Sequence, residues 1–153
     1  MFFVRNRKDF NSRFTLYDSL EHILETVEHS HIVLSFDSSD QLIACGHYWY
    51  TSNDIEPNPQ GEVVFVSSAL IAREQRSSLV FVKGFRDMAN IIAEDNRNVK
   101  VMQFHAQTDN HYLNRLYGKF ARHIGEHEGL NGMENVYAAD FATLLNYLNR
   151  GVK

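Results

Sequence analysis

One stretch, Val99 to Ala121, constrains the fold of this chain more than any other. Val99-Lys100-Val101-Met102-Gln103-Phe104-His105-Ala106 reads as a strand, and Asn110-His111-Tyr112-Leu113-Asn114-Arg115-Leu116-Tyr117-Gly118-Lys119-Phe120-Ala121 follows it as a helix. Asparagine is a favoured helix N-cap, which suits Asn110 at the helix start. Tyr117 stands seven residues later, on nearly the same helical face two turns away.

The elements around this unit follow from periodicity and turn chemistry. Phe2 to Arg5 reads as a short opening strand, and helical spacing follows at Phe10 and Phe14, then at Leu20, Ile23, Leu24 and Val27. Asp18 with Glu21 makes a capping-box start for the second of these helices. His31 to Phe36 and Leu42 to Thr51 form a hairpin about Asp37-Ser38-Ser39-Asp40. Asn53 to Gly61 carries both prolines and is a loop, and Glu62 to Ser67 is the next strand. Leu79, Val82, Phe85, Ala89 and Ile92 mark a helix. After the Val99–Ala121 unit, strands over His123 to Glu128 and Asn135 to Phe141 flank an Asn131-Gly132 turn, and Phe141, Leu144, Leu145 and Leu148 close the chain with helical spacing. The order is β-α-α-β-β-β-α-β-α-β-β with a small helix appended.

Length and composition bound the class. A chain of 153 residues, 44% hydrophobic and 22% charged, is one domain's worth with enough core to fold alone, spanning 1–153. A net charge of -4 gives no basic field for nucleic acid. The one cysteine, Cys45, fits a reducing compartment and sits in an apolar run as a packing residue. No segment reaches the ~20 apolar residues of a membrane span, and the N-terminus has no signal-peptide pattern, so a soluble cytoplasmic protein is expected.

The strand-helix unit, with Asn110 and Tyr117, resembles the signature of the GNAT superfamily of N-acetyltransferases, and the element order, which covers almost the whole chain, is similar to that family's own. The resemblance implies an α/β (α+β) fold with a mixed, mostly antiparallel central sheet of about seven strands and helices on both faces. It implies direct transfer of an acetyl group from acetyl-CoA to a primary amine of a small molecule or peptide. It also implies that Asn110 bonds the pantetheine arm and that Tyr117 protonates the departing thiolate, since a phenol of pKa about 10 suits that task.

The pyrophosphate loop of the family reads Gln or Arg, two residues, Gly, one residue, then Gly or Ala; here Arg73-Glu74-Gln75-Arg76-Ser77-Ser78 stands at that place. Arg73 and Ser78 fit, whereas Arg76 replaces a glycine that lets backbone amides approach a phosphate. Arg73 and Arg76 then supply charge, and Ser77 and Ser78 hydroxyl donors, to an anion. The alternative reading is a non-catalytic GNAT-fold binding or structural module, of a kind also found in tailed phages, whose cofactor loop has decayed.

Three residues are candidates for the base: Glu62 at the head of its strand, His47, and His105, which shares a strand face with Val101 and Gln103 and points either to the cofactor cleft or to the core. His47-Tyr48-Trp49-Tyr50 alternates across a strand, two members facing the core and two a groove or partner. His29, His31, His123 and His127 lack the cysteine or carboxylate company of a zinc site, so no metal is expected. Asp54, Glu56, Glu126, Glu128 and Glu134 make an acidic rim suited to a cationic amine, or simply to solubility. Edge strands or the last helix offer a route to a homodimer.

Overall fold

The computed structural model describes residues 1–52, 56–129 and 132–151, and only the backbone of Ser78. Its elements run α1 (Phe2–Phe10), α2 (Leu16–Val27), β1 (His31–Phe36), β2 (Leu42–Thr51), β3 (Val63–Ile71), α3 (Ser78–Asp95), β4 (Val101–Gln107), α4 (His111–Tyr117), β5 (Arg122–Gly129), β6 (Gly132–Asp140) and α5 (Phe141–Asn149). A single 3₁₀ turn over Arg73–Gln75 joins β3 to α3.

Six strands, rather than about seven, form one sheet in the order β1-β2-β3-β4-β6-β5, and every neighbouring pair is antiparallel except β3 with β4. The missing strand is the expected one over Phe2 to Arg5, which is the first turn of α1. Four residues of mixed polarity carry too little periodicity to separate the two states. Tertiary packing decides: Phe3 is buried, with ring centroids 5.3 Å from both Phe10 and His22. The second helix also starts earlier than expected. Thr15 is its N-cap, accepting from the Asp18 amide, while the Asp18 carboxylate takes the Thr15 amide, so Asp18 is the third helical residue of the capping box. The Asn131-Gly132 turn expected between the last strands lies partly outside the described residues, at Leu130 and Asn131. So do Asn53, Asp54 and Ile55 of the proline loop. Gly61 ends that loop against the Thr51 backbone, where any Cβ would collide with the Thr51 carbonyl.

Helices cover both faces of the sheet. On one face Phe81, Phe85, Met88 and Ile92 of α3 and Phe141, Leu144 and Leu148 of α5 pack on Val64, Val66, Met102 and Phe104. On the other, α1, α2 and the connection between them lie over Cys45 and Leu70 through Phe3, Ile23 and Phe14.

Two irregularities open the sheet. A bulge in β3 places Ser67 between the pairs His47–Ser68 and Tyr48–Val66, which bends the strand. Beside it, β3 and β4 pair only from Val63–Val101 to Val66–Phe104; beyond that point β3 keeps β2 and β4 keeps β6. The two strands therefore splay into a V in the middle of the sheet.

Candidate functional site

Below the V, on the α1–α2 side, lies a cavity of about 440 Å³. Its floor is the outward face of β3 and β4, with Phe65, Ser67 and His105, and its wall is the polar face of α2. That wall presents Asp18, Glu21 and Glu25, spaced by one and two helical turns, and Glu134 of β6 stands in the same cavity. No lysine or arginine is among the lining residues described. A cavity lined by carboxylates without cations favours a positively charged occupant.

His105 is the best-organised titratable group there. Its side chain is 7% exposed, and its Nδ1 lies 3.0 Å from Glu134 Oε2. The Glu134 carboxylate is itself fixed by Gln107, whose Nε2 donates to Oε1 at 2.9 Å. Donation of Nδ1–H to the carboxylate leaves the lone pair on Nε2, where the Gln103 amide sits at 3.4 Å. The His127 ring is beside it, 5.3 Å between centroids. His105 points neither into the α3–α5 core nor into the groove expected for the cofactor, but into this cavity.

The other two candidate bases lie elsewhere. Glu62 precedes β3 at the paired end, opposite the V, and its exposed carboxylate binds Lys100 Nζ at 2.6 Å. His47 is buried under α1 and α2, stacked parallel to His22, and burial lowers its pKa. Its neighbours in the aromatic run are all buried: Tyr48 and Tyr50 in the main core, Trp49 against Phe65. No member of that run lines the cavity. Cys45 is buried as expected, and desolvation pushes its thiol up to about 11.

On the far side of the V is the expected cofactor groove, between Ile71 and Phe81 on one flank and Tyr112 and Leu113 on the other. About 10 Å³ of it is open, no more than one water's worth. The Arg76 side chain fills the rest: its Nε donates to the Ile71 carbonyl at 3.4 Å and its guanidinium lies 5.6 Å from the Tyr112 ring centroid. Asp9 of α1 closes over it, with Oδ1 3.2 Å from Arg76 and 3.6 Å from Arg73. Arg76 has φ -70°, so the loop needs no glycine conformation at this position. The loop amides instead bond within the 3₁₀ turn, Gln75 to the Ala72 carbonyl, Arg76 to Arg73 and Ser77 to Gln75. Ser77 caps α3, its hydroxyl accepting from the Val80 amide at 3.3 Å. Ser78 begins α3, and only its backbone is described.

The two phenols of α4 divide between groove and core. Tyr112 lines the groove. Tyr117 is 1% exposed, stacked on Phe104 at 4.9 Å and packed with Phe81, Phe120 and Tyr137. Desolvation, and then the neighbouring Tyr112, raise its pKa well above the usual phenol range. The position expected to hold the acid is thus more deeply packed than a half-buried aromatic. Tyr117→Ala should cost about 3–5 kcal/mol in chemical denaturation. A loss below about 1 kcal/mol would remove Tyr117 from the core.

Asn110 caps α4 as its residue type suggests, its Oδ1 accepting from the Leu113 amide at 3.1 Å. Asn114, which the sequence reading passed over, ties the helix down. Its Nδ2 donates to the Gln107 carbonyl at 2.7 Å, while its Oδ1 accepts from Asn135 and from Tyr137 Oη at 2.8 and 2.9 Å. A single asparagine between Leu113 and Arg115 gives no signal in the sequence of such a hub.

The expected acidic rim is partly relocated. Glu134 is in the cavity, but the other acids there come from α2 rather than from Glu126 or Glu128, while Asp54 lies outside the described residues. His29 meets Trp49 edge to face and His31 stacks on Tyr48, far along the sheet from His123 and His127 of β5. Among the described residues, no group of three or more His, Cys, Asp or Glu is placed to hold a metal ion.

No protein-family model matches the chain, and no curated protein matches it in sequence. Solved structures do match its fold. A protein from Desulfovibrio desulfuricans assigned as an acetyltransferase of the GNAT family superposes with TM-score 0.66 at 10% identity, covering 92% of this chain and 91% of that one. A chimera of spermidine N-acetyltransferase SpeG from Vibrio cholerae and hSSAT gives TM-score 0.65 at 12% identity over 94% and 93%. AAC(6')-Ib in complex with ribostamycin and coenzyme A gives TM-score 0.66 at 16% identity over 98% and 85%. The chain has the fold of the GNAT acetyltransferases. No helix described is long and apolar enough to cross a membrane.

Proposed function

We propose that this chain is an N-acyltransferase that moves an acetyl group from acetyl-CoA to an amine of a small cationic molecule, with His105 as the base and Glu134 holding it. The observation that carries the reading is the acidic cavity under the V, with a partly buried imidazole–carboxylate pair at its floor. Two of the fold neighbours are named for spermidine and for an aminoglycoside complex, which agrees with the charge of that cavity.

The donor set suits a diphosphate by charge, since Arg73 and Arg76 at the start of α3 already hold one carboxylate. Acetyl-CoA, when bound, supplies the activated acyl thioester. The chain's own residues do the rest. Asp18, Glu21 and Glu25 draw in an ammonium group, and His105 Nε2 takes its proton, displacing the long Gln103 contact. Glu134 stabilises the imidazolium through Nδ1–H, and Tyr112 is the phenol within the groove.

Amine-dependent thiol release from acetyl-CoA, with spermidine as the first probe, tests the proposal. Release should rise with added amine and fall at least about tenfold in Glu134→Gln. Release that is independent of amine for a panel of di- and polyamines overturns it. The second reading, a non-catalytic module, is favoured by the filled groove and by Tyr117 in the core. Absence of any heat on titrating the chain with millimolar coenzyme A would select it.

A further inference from the structure

Asp9 puts a carboxylate between two arginines from a place its own helix disfavours. It sits in the last turn of α1, where the exposed carbonyl end of the helix repels a negative charge, so the helix gives no reason for it. Its carboxylate is nonetheless 18% exposed and faces Arg76 at 3.2 Å and Arg73 at 3.6 Å. A surface depression of about 230 Å³, lined by Lys8, Asp9, Arg76, Asp109, Asn110 and His111 among others, leads from solvent to this pair. The entrance and the pair together carry a lysine and two arginines, an arrangement that suits an anion larger than a carboxylate.

The same end of α1 also builds the amine cavity. Phe10, the next residue, lines it with Asn11 and Phe14, and its ring is 5.3 Å from His22 and 5.4 Å from Phe14. Asp9 therefore closes over the groove while Phe10, the next residue of the same helix, shapes the cavity.

We infer that Asp9 is an internal occupant of the Arg73–Arg76 anion site, a latch that the phosphates of the acyl carrier must displace, so that carrier binding frees Arg76 from the groove and reshapes the amine cavity. This rests on the acyltransferase reading for the identity of the carrier, but the anion site itself does not. The exchange is one of ionic partners: Arg73 and Arg76 trade a carboxylate for phosphate oxygens, and no covalent bond changes. A site held closed nine parts in ten binds its ligand about tenfold more weakly than the open form does.

The test is calorimetric titration of the full chain with coenzyme A and, separately, with inorganic pyrophosphate. Asp9→Asn should bind both about tenfold more tightly than the parent chain, and the gain should vanish in Asp9→Asn/Arg76→Gln. Equal or weaker binding of both in Asp9→Asn overturns the latch, and leaves the acyltransferase reading standing if the parent chain binds coenzyme A. Tighter binding of pyrophosphate with no binding of coenzyme A upholds the anion site and overturns the acyl carrier as its ligand. Amide exchange over residues 2–10 of the unmutated chain gives a second readout. It should speed up on adding saturating pyrophosphate as α1 loses the Asp9 anchor, and unchanged or slower exchange overturns the reshaping of the cavity through α1.

Discussion

His105→Gln should lower amine-dependent acyl transfer by about 100-fold to 10,000-fold at neutral pH. Glutamine keeps a side-chain donor for Glu134 but has no nitrogen lone pair to take a proton. The loss should therefore fall on kcat, with the KM for the amine within about threefold, because the cation is drawn by Asp18, Glu21 and Glu25 rather than by the imidazole. Stability should change little if the Glu134 contact is rebuilt, since an unmet buried partner is what costs about 1–3 kcal/mol. Glu134→Gln should be milder, because Gln107 and His105 keep a polar neighbour and only the charge that steadies an imidazolium is lost. Initial rates of thiol release over a range of amine concentrations separate these effects. A His105→Gln enzyme with a third or more of the parent kcat would remove His105 as the base.

Much of the framework was legible because it depends on local pattern. The strand-to-helix unit at Val101–Tyr117, the hairpin of β1 and β2 and the closing helix α5 all follow from periodicity and caps. The errors fall where tertiary contacts overrule local pattern. The segment at Phe2 has strand-like residues, yet it is helical because Phe3 and Phe10, seven apart, both reach the aromatic cluster around His22. The spacing from Asn110 points to Tyr117 as the phenol, and only the rotation of a seven-residue helix sends Tyr117 to the core and Tyr112 to the groove.

The site was less legible still, since its contacts join distant segments. Arg76 was readable as a departure from a glycine pattern, but the carboxylate that captures it belongs to α1. Asp18, Glu21 and Glu25 look like the solvated face of an amphipathic helix, and they become a cavity wall only because the bulge at Ser67 and the V between β3 and β4 hollow out the sheet beneath them. The sequence placed the acid on loop and hairpin instead.

Acid should destabilise this fold well before its carboxylates titrate. His22 sits among Phe3, Phe10 and Phe14 and stacks on His47 with 6.1 Å between ring centroids. Its Nε2 and His47 Nδ1 are buried without hydrogen-bond partners. Desolvation, with a smaller push from His47, lowers the His22 pKa to about 4, against an opposing pull from Glu134. An unfolded histidine titrates near pH 6.5, so below that pH the unfolded chain takes up a proton that the fold refuses. The stability is therefore fully present above about pH 6.5 and is lost as pH falls toward 4. At 1.36 kcal/mol per unit, His22 alone accounts for about 3 kcal/mol across that window, or on the order of 6–12 °C in Tm for a chain of this size. The lowered carboxyls of Asp18 and Asp140 act in the same direction, but only below about pH 4, so the two contributions separate along the pH axis. His22→Phe keeps an aromatic ring in the cluster and has no proton to take. Its urea midpoint should vary less between pH 7.5 and 4.5 than that of the parent chain, by roughly one proton's worth of slope. Parallel profiles for the two proteins would mean that His22 does not stay neutral in the fold. The acid sensitivity would then have to come from His47, whose pKa burial also lowers, and His47→Phe would be the variant that flattens the curve.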